Sequence, residues 1–427
     1  MIARRMHLNF HGNWAGEHAG AWRVGEDGQT AKFQLDYYSA LAQAAERGLF
    51  DGIFYAAGLA LHESPGRPAT PGLDPVVLAA ALSAKTERIG LAATISTTFN
   101  EPYNVARTML SLDHISGGRA AWNVVTTYDE MAALNFGMTQ LPPKQLRYER
   151  ADEFVEVVLQ LWDSWGPGSL VPDPEGAVAF APAIHPINHH GRHFEVRGPL
   201  QTPRSPQGRP ILFQAGASQE GKAFAARVAD GIFCVALNLE TCQAFYREMK
   251  ELARSFGRDP DKVHILPGVY LYIGSTMEEA KKVLAEQSTT DDALNQLAVR
   301  LTTDVGNLKV DETVPDEILD KAAIAARSHG HTMAVIDVFR RERITVREFL
   351  IRQPLRGPHR VFCGTPELVA DSFAEWFTTR AADGFNVGNL TLEGLNLFVD
   401  EVVPLLQKRG LHRREYEGKT MREIFTG

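Results

Sequence analysis

Asn123, Thr126 and Thr127 stand at the end of a short apolar run that begins after the pair Gly117 and Gly118. The glycines suit a helix C-cap, where positive φ carries no Cβ penalty, and the β-branched residues that follow prefer a strand. Polar groups at the C-terminal end of a buried parallel strand face the ligand side of an α/β fold, so these three residues are candidates to hydrogen-bond a bound molecule; capping the strand accounts for them equally well. A second candidate runs from Gln214 to Ser218. Its small residues, Ala215, Gly216 and Ala217, let a ligand approach the backbone. Ser218 would open a helix whose free N–H groups, with the serine hydroxyl, could hold one phosphate. A serine N-cap without a ligand gives the same pattern. Tyr148 and Arg147, placed at the start of an earlier helix, could add phosphate contacts.

Positioning these groups demands a regular scaffold. A strand at 6–10 leads into a loop carrying His11, Trp14, His18 and Trp22, either a packed lid or the walls for a planar ligand. Helical spacing over 35–47 ends at Gly48, and a strand follows at 52–55. Asp74 and Pro75 read as N-cap and first helical residue of a helix over 76–86. A strand at 89–96, ending near Thr94, precedes a helix over 103–114. Further on, an amphipathic helix is expected at 148–162, a strand at 211–214, a helix at 219–229, a strand at 231–236, a helix at 241–256 and a strand at 263–273. From about 275 to 352 the repeat gives way to helical, charge-mixed sequence, expected to be an inserted lid. A helix at 367–380, a strand at 384–392 and a helix at 395–409 complete the pattern. Eight strands alternating with helices predict a single (β/α)8 TIM-barrel domain over residues 1–427.

Composition narrows the function. The chain of 427 residues has a formal net charge of −8, so nucleic acid and anionic membrane are poor partners and a small molecule is the better expectation. The same negative balance weighs against a polyanionic substrate, unless local pocket charge overrides it. The three cysteines, Cys234, Cys242 and Cys363, lack metal-ligand spacing and read as reduced thiols. There is no signal-like apolar segment at the start and no run of about 18 apolar residues, so a cytoplasmic enzyme is expected. His185, His189, His190 and His193 cluster without a carboxylate at ligand spacing, and Gly191 and Arg192 read as a hairpin turn, so no metal is expected. No dinucleotide fingerprint is present, because 216–221 lacks the required glycine spacing.

The stretches 112–119, 122–126, 147–154 and 214–218, supported by 20–23, 58–60, 93–96, 197–200, 204–208 and 381–385, resemble the bacterial-luciferase-like flavin monooxygenases. The chain is similar to the branch with nitrilotriacetate, EDTA, long-chain alkane and dibenzothiophene-sulfone monooxygenases, from about residue 6 to residue 424. The resemblance implies a barrel that takes reduced FMN from a separate NAD(P)H-dependent flavin reductase and uses O2 to oxygenate a small organic substrate, a sulfone or other organosulfur compound being the nearest suggestion. It also implies a homodimer or homotetramer. Carried over by position, Thr94 lies beside the flavin ring, Asn123 lines the ring pocket, and Tyr148 and Ser218 hold the phosphate, with Ala217 beside them.

Departures from the family pattern are as telling. Ala57 replaces a usual acidic residue after the second strand. Lys144 stands where a histidine is frequent, four residues before the phosphate tyrosine, and could serve as a point charge. Asp304 aligns with a pocket histidine of the insertion, and His11 occupies a position often apolar or aromatic. His11 and Asp304 are therefore expected to form a polar pair that positions the substrate. These departures leave open a flavin- or ligand-binding barrel that has lost oxygenase activity. A metal-dependent hydrolase ranks last, since the strand ends offer Thr, Asn and Ser instead of paired His and Asp.

Overall fold

The computed structural model describes residues 4–12, 33–56, 58–61, 72–172, 178–180, 184–216, 218–286, 290–325, 329–352 and 359–427. Eight parallel strands close into a barrel: β1 (His7–His11), β2 (Gly52–Tyr55), β3 (Gly90–Ser96), β4 (Ala120–Val125), β5 (Ile211–Gln214), β6 (Gly231–Cys234), β7 (His264–Ile273) and β8 (Gly384–Gly388). Each pairs with the next, and β8 returns to β1 through the register Leu8 to Phe385. These are the eight strands and the TIM-barrel class expected from the sequence.

The helices that follow strands are α1 (Leu35–Arg47), α2 (Pro75–Ser83), α3 (Pro102–Ile115), α4 (Lys144–Asp163), α5 (Gln219–Val228), α6 (Leu239–Ser255) and α7 (Pro366–Thr378). Along β1, Leu8 and Phe10 join the main core between barrel and helices, while His7 and His11 meet rings inside the barrel. That alternation is the period-2 geometry of a strand. None of the described helices is long and apolar enough to cross a membrane.

Local chemistry explains most element ends. Asp74 Oδ1 accepts from the Val76 and Val77 N–H groups at 2.9 and 3.0 Å, and Pro75 takes the first helical position, as expected. Gly117 and Gly118 adopt φ of 69° and 90°, turning the chain from α3 into β4. Gly48 differs from expectation: its φ is −77°, and the left-handed residue is Leu49. Glycine is needed there for space, because a Cβ would lie 2.6 Å from Val399 Cγ2.

Several elements depart from the sequence reading. Helix α4 begins at Lys144, after Pro142 and Pro143, so Tyr148 sits in its second turn. Its polar first turn hides the start, since the buried stripe begins only at Ala151. A strand at Arg360–Gly364, not expected, pairs with Val269–Ile273. Strand β6 covers only the first half of the longer β7, and this short segment takes the edge left beyond it. After β8, the helical stretch made of Leu392–Leu397 and Val403–Lys408 opens into a wide turn at Phe398–Val402, next to Pro404, whose ring nitrogen cannot donate to the preceding turn.

A final helix, Met421–Thr426, plugs the N-terminal end of the barrel. Met421 and Phe425 pack with Phe54, Ala92, Ala121, Phe213 and Leu266. Gly90 makes room for the plug: a Cβ there would fall 2.4 Å from Met421 Sδ. Thr420 and Glu423 form a capping box that starts the helix.

Between β7 and α7 lie helices Met277–Glu286, Thr290–Arg300, Asp316–Ala325, His329–Glu342 and Val346–Arg352. Leu297, Leu301, Leu319, Phe339 and Phe349 build a separate apolar cluster there, which Leu237 joins from the segment after β6. The insertion thus has its own core and one foot on the barrel mouth.

Candidate functional site

A cleft of about 580 Å³ opens at the C-terminal ends of the barrel strands. On β3 and β4, Thr94 and Asn123 are opposed in the ladder, and Asn123 Nδ2 donates to Thr94 Oγ1 at 3.0 Å. Both face the cleft, with the small Ala92 and Ala121 two residues below them on their strands. The hydrogen bond fixes the amide, leaving its carbonyl oxygen for a ligand.

The turn from β5 into α5 forms another wall. Ser218 is the N-cap: its Oγ accepts from the Gly221 N–H at 3.2 Å, and Gln214, Gly216 and Ser218 line the cleft. Glycine is dictated twice. A Cβ on Gly216 would lie 2.7 Å from the Gly221 carbonyl, and one on Gly221 would lie 2.8 Å from Tyr148 Oη. The bare backbone at 221 therefore brings the tyrosine hydroxyl against the N-terminus of α5. Edge packing on Phe224, with centroids 6.0 Å apart, holds the ring of Tyr148 in place.

Helix α4 adds Lys144, Arg147 and Tyr148 to the same end of the cleft. The Lys144 ammonium is 3.0 Å from Glu220 Oε2, so its charge is already shared. Arg147 donates from Nη1 to the Pro142 carbonyl at 2.5 Å, while its buried Nε has no hydrogen-bond partner among the described residues. Burial lowers the Arg147 pKa from its usual value. Gln214 Oε1 is likewise buried with no hydrogen-bond partner among the described residues. A helix N-terminus, two hydroxyls, a donor left over and a backbone cradle suit a phosphate monoester.

The remaining lining includes Tyr128, Phe233, Cys234 and Val235, and the insertion contributes Gly330 and His331. Nothing in the sequence reading singled out His331. Its signal was the His-Gly-His run 329–331 within the insertion, which competes with no apolar periodicity.

The expected residues therefore divide. Thr94, Asn123, Lys144, Tyr148 and Ser218 are brought together around one cleft. His11 ends β1 with its ring centroid 6.5 Å from that of Phe233, a residue of the lining. Asp304 is not brought there: it is exposed, at the N-cap of the short turn Val305–Asn307, and the pair expected with His11 does not form. Ala57, Ala217 and the loop with Trp14, His18 and Trp22 lie outside the described residues.

Two of the clustered histidines, His189 and His193, serve the fold. Glu153 accepts from the Phe194 N–H at 2.8 Å and meets His189 Nε2 at 3.2 Å, and Glu149 meets His193 Nε2 at 3.4 Å. They pin the hairpin His189–His190 and Glu195–Val196 onto α4. The carboxylates come from a helix distant in sequence, which spacing within the hairpin could not reveal.

Comparison with known proteins agrees with this architecture. A family model described as luciferase-like monooxygenase matches residues 17–383. The N-acetyl-S-(2-succino)cysteine monooxygenase of Bacillus subtilis (strain 168) is 41% identical over 415 residues, covering 96% of this chain and 94% of that protein. Among solved structures, EDTA monooxygenase from Chelativorans sp. BNC1 is 34% identical with a TM-score of 0.82, covering 99% of this chain and 98% of that one. A riboflavin lyase solved with modified FMN and riboflavin is 29% identical with a TM-score of 0.85, over 99% of this chain and 96% of that one. The barrel, the cleft at its strand ends and these matches together assign the chain to the luciferase-like monooxygenases, the family to which it belongs.

Proposed function

We propose that the chain is the oxygenase component of a two-component system, using reduced FMN from a separate NAD(P)H-dependent flavin reductase and O2 to oxygenate a small organic substrate. The observation that carries this reading is the cradle of Ser218, Tyr148, Arg147 and the glycine backbone of 216 and 221, set beside the Thr94–Asn123 pair in one cleft. One such cradle suits FMN better than a dinucleotide.

Bound in its reduced form, FMN would react with O2 and supply the oxygenating group. The chain's task is to hold, orient and keep dry. Ser218 Oγ and Tyr148 Oη would hold the phosphate, with Arg147 Nε and the first N–H groups of α5; Lys144 would act through its pairing with Glu220. Thr94 and Asn123 would face the ring. In sequence, Ala57 stands between the cleft residues Ala56 and Gly58, and Ala217 between Gly216 and Ser218. The insertion over about 275–352 would act as the lid, since Gly330 and His331 bring it to the cleft wall.

An organosulfur compound is the first substrate class to test, because the Bacillus relative is named for a cysteine thioether. We read the protein as a cytoplasmic homodimer or homotetramer. A barrel that binds flavin but has lost oxygenation is the second reading, favoured by the Lys144–Glu220 pair, which ties up a charge otherwise available to a phosphate. Turnover with a flavin reductase under isotopically labelled O2 separates them. A product carrying one labelled oxygen supports the oxygenase, whereas FMN binding without oxygen transfer supports the second reading.

A further inference from the structure

Helix α4 carries Lys144, Arg147 and Tyr148 to the cleft, yet its apolar face does not hold them there. The buried stripe begins at Ala151 and continues through Phe154, Val155, Val157 and Val158, so the first two turns lie ahead of it. Polar and ring contacts have to place those turns. Lys144 and Tyr148 meet Glu220 and Phe224 of α5, and Arg147 bonds the Pro142 carbonyl just before its own helix.

Arg150 makes the link to the barrel. Its Nη1 donates to the Thr97 carbonyl and its Nη2 to the Asn100 carbonyl at 3.1 Å, so one guanidinium spans the turn that follows β3. Cζ lies 4.6 Å from the Phe194 ring centroid of the hairpin, and Glu101 Oε1 is 3.7 Å away. The side chain is 24% exposed and does not line the cleft.

That turn is itself tied to the strand ends. The Thr97 N–H donates to the Val125 carbonyl at 2.9 Å, and Thr98 Oγ1 to the Thr126 carbonyl at 2.7 Å. Asn100 Nδ2 returns to the Ser96 carbonyl at 2.9 Å. Thr127, β-branched but held at φ 51°, closes the lattice by donating from Oγ1 to Ser96 Oγ at 2.7 Å. Thr94 and Asn123 stand two residues before Ser96 and Val125 in the same paired register. A connected path of backbone and hydrogen bonds therefore runs from the helix turns that carry Tyr148 to the Thr94–Asn123 pair. A ligand with a phosphate at one end and a ring at the other must bridge these two halves, and its gain from holding both ends depends on their spacing.

We infer that Arg150 is a positioning residue that sets the spacing between the proposed phosphate cradle and the Thr94–Asn123 pair, and so gives the cleft its selectivity for a phosphorylated flavin over an unphosphorylated one. This rests on the reading of the cleft as an FMN site and adds to it a residue that acts through others. Lysine cannot replace it fully, because a point charge does not bridge two carbonyls as a planar fork does.

The test is parallel fluorescence titration of the intact protein with oxidised FMN and with riboflavin. Arg150→Met keeps an apolar stem beside Phe194; it should weaken FMN binding about tenfold and riboflavin binding less than about twofold. Arg150→Lys should weaken FMN about threefold, a partial rescue, and carries the same comparison if thermal melts show that Arg150→Met does not fold. Combined with Ser218→Ala, the FMN losses should be less than additive, because a misplaced cradle gains little from the hydroxyl. Equal weakening of both flavins, additive losses, or an FMN preference that survives in both Arg150 variants overturns the role of Arg150 alone. An unaltered protein that binds the two flavins alike, or neither, overturns the FMN reading and this inference with it.

Discussion

Asn123 Nδ2 and Thr94 Oγ1 are joined by a 3.0 Å hydrogen bond across two barrel strands, so the two residues at the cleft present one fixed polar surface. Removing either partner frees the other to rotate. Asn123→Ala should lower kcat with reductase-supplied FMN about tenfold, the equivalent of roughly 1.4 kcal/mol, while FMN affinity changes less than about threefold. Thr94→Ser should retain most of the activity because it keeps the acceptor, and Thr94→Val should behave like Asn123→Ala. Steady-state kinetics and flavin titration of the three variants check this.

The proposed phosphate cradle makes a sharper demand. A methyl group at position 221 would press on Tyr148 Oη, 2.8 Å from the Cβ position, and Ser218→Ala deletes the N-cap hydroxyl. Each change should weaken FMN binding by about tenfold or more, since hydrogen bonds to a charged group contribute about 1.5–3 kcal/mol. Riboflavin, which has no phosphate, should bind all three proteins equally. Parallel fluorescence titrations with the two flavins provide the measurement.

Buried ionisable groups at the far end of the barrel set the acid limit of stability. Burial alone would raise the Asp51 carboxyl, but Arg413 at 2.6 Å, His7 at 2.9 Å and the Leu8 N–H outweigh it and hold it well below the usual carboxylate range. Its stabilisation is present above about pH 4, the ordinary carboxylate value, and is lost as pH falls toward the lower native value. Burial also pushes His264 down to about 3 and His412 down to about 4. The unfolded chain protonates these imidazoles below about pH 6.5 while the native chain does not, so stability must decline from there downward. Tm should accordingly be level above about pH 7 and fall continuously below 6.5. His412→Asn should flatten the fall between about 6.5 and 4, and Arg413→Met should cost about 3–5 kcal/mol at neutral pH by leaving Asp51 uncompensated. Thermal melts across pH test both.

The C-terminal plug predicts a long-range dependence. Gly90→Ala would set a Cβ 2.4 Å from Met421 Sδ and 2.8 Å from the Asp51 carbonyl oxygen, too close for either to yield fully. Met421 is completely buried, so Met421→Ala should cost about 2–5 kcal/mol. Gly90→Ala should cost about 1–3 kcal/mol through overpacking, and less when combined with Met421→Ala, because the second change removes the atom in the way. Denaturant unfolding of the double-mutant cycle measures the coupling.

The barrel was readable because its strands are short apolar runs bounded by polar or glycine residues, and because helix starts such as Asp74–Pro75 carry their own hydrogen-bonding logic. Where partners were local, as in the Ser218 N-cap, the start of the element was readable too. Where a role depended on contacts made far along the chain, it was not. Gly48 looks like a left-handed cap until Val399 is seen against it. Met421–Thr426 is too short to show periodicity, and its purpose exists only once the barrel has closed around it. Asp304 aligns with the insertion's histidine only across loops of changing length; in space it is exposed at the turn Val305–Asn307, whereas Gly330 and His331 line the cleft. The strand Arg360–Gly364 depends on the overhang of β7 beyond β6, a relationship between two ladders that no local pattern expresses.

The central claim, that this cleft holds reduced FMN for reaction with O2, is tested most directly by anaerobic titration with reduced FMN followed by rapid mixing with oxygenated buffer. The account predicts saturable binding at one site per chain and reoxidation kinetics distinct from those of free flavin. Absence of binding, or reoxidation indistinguishable from flavin in buffer, would contradict it.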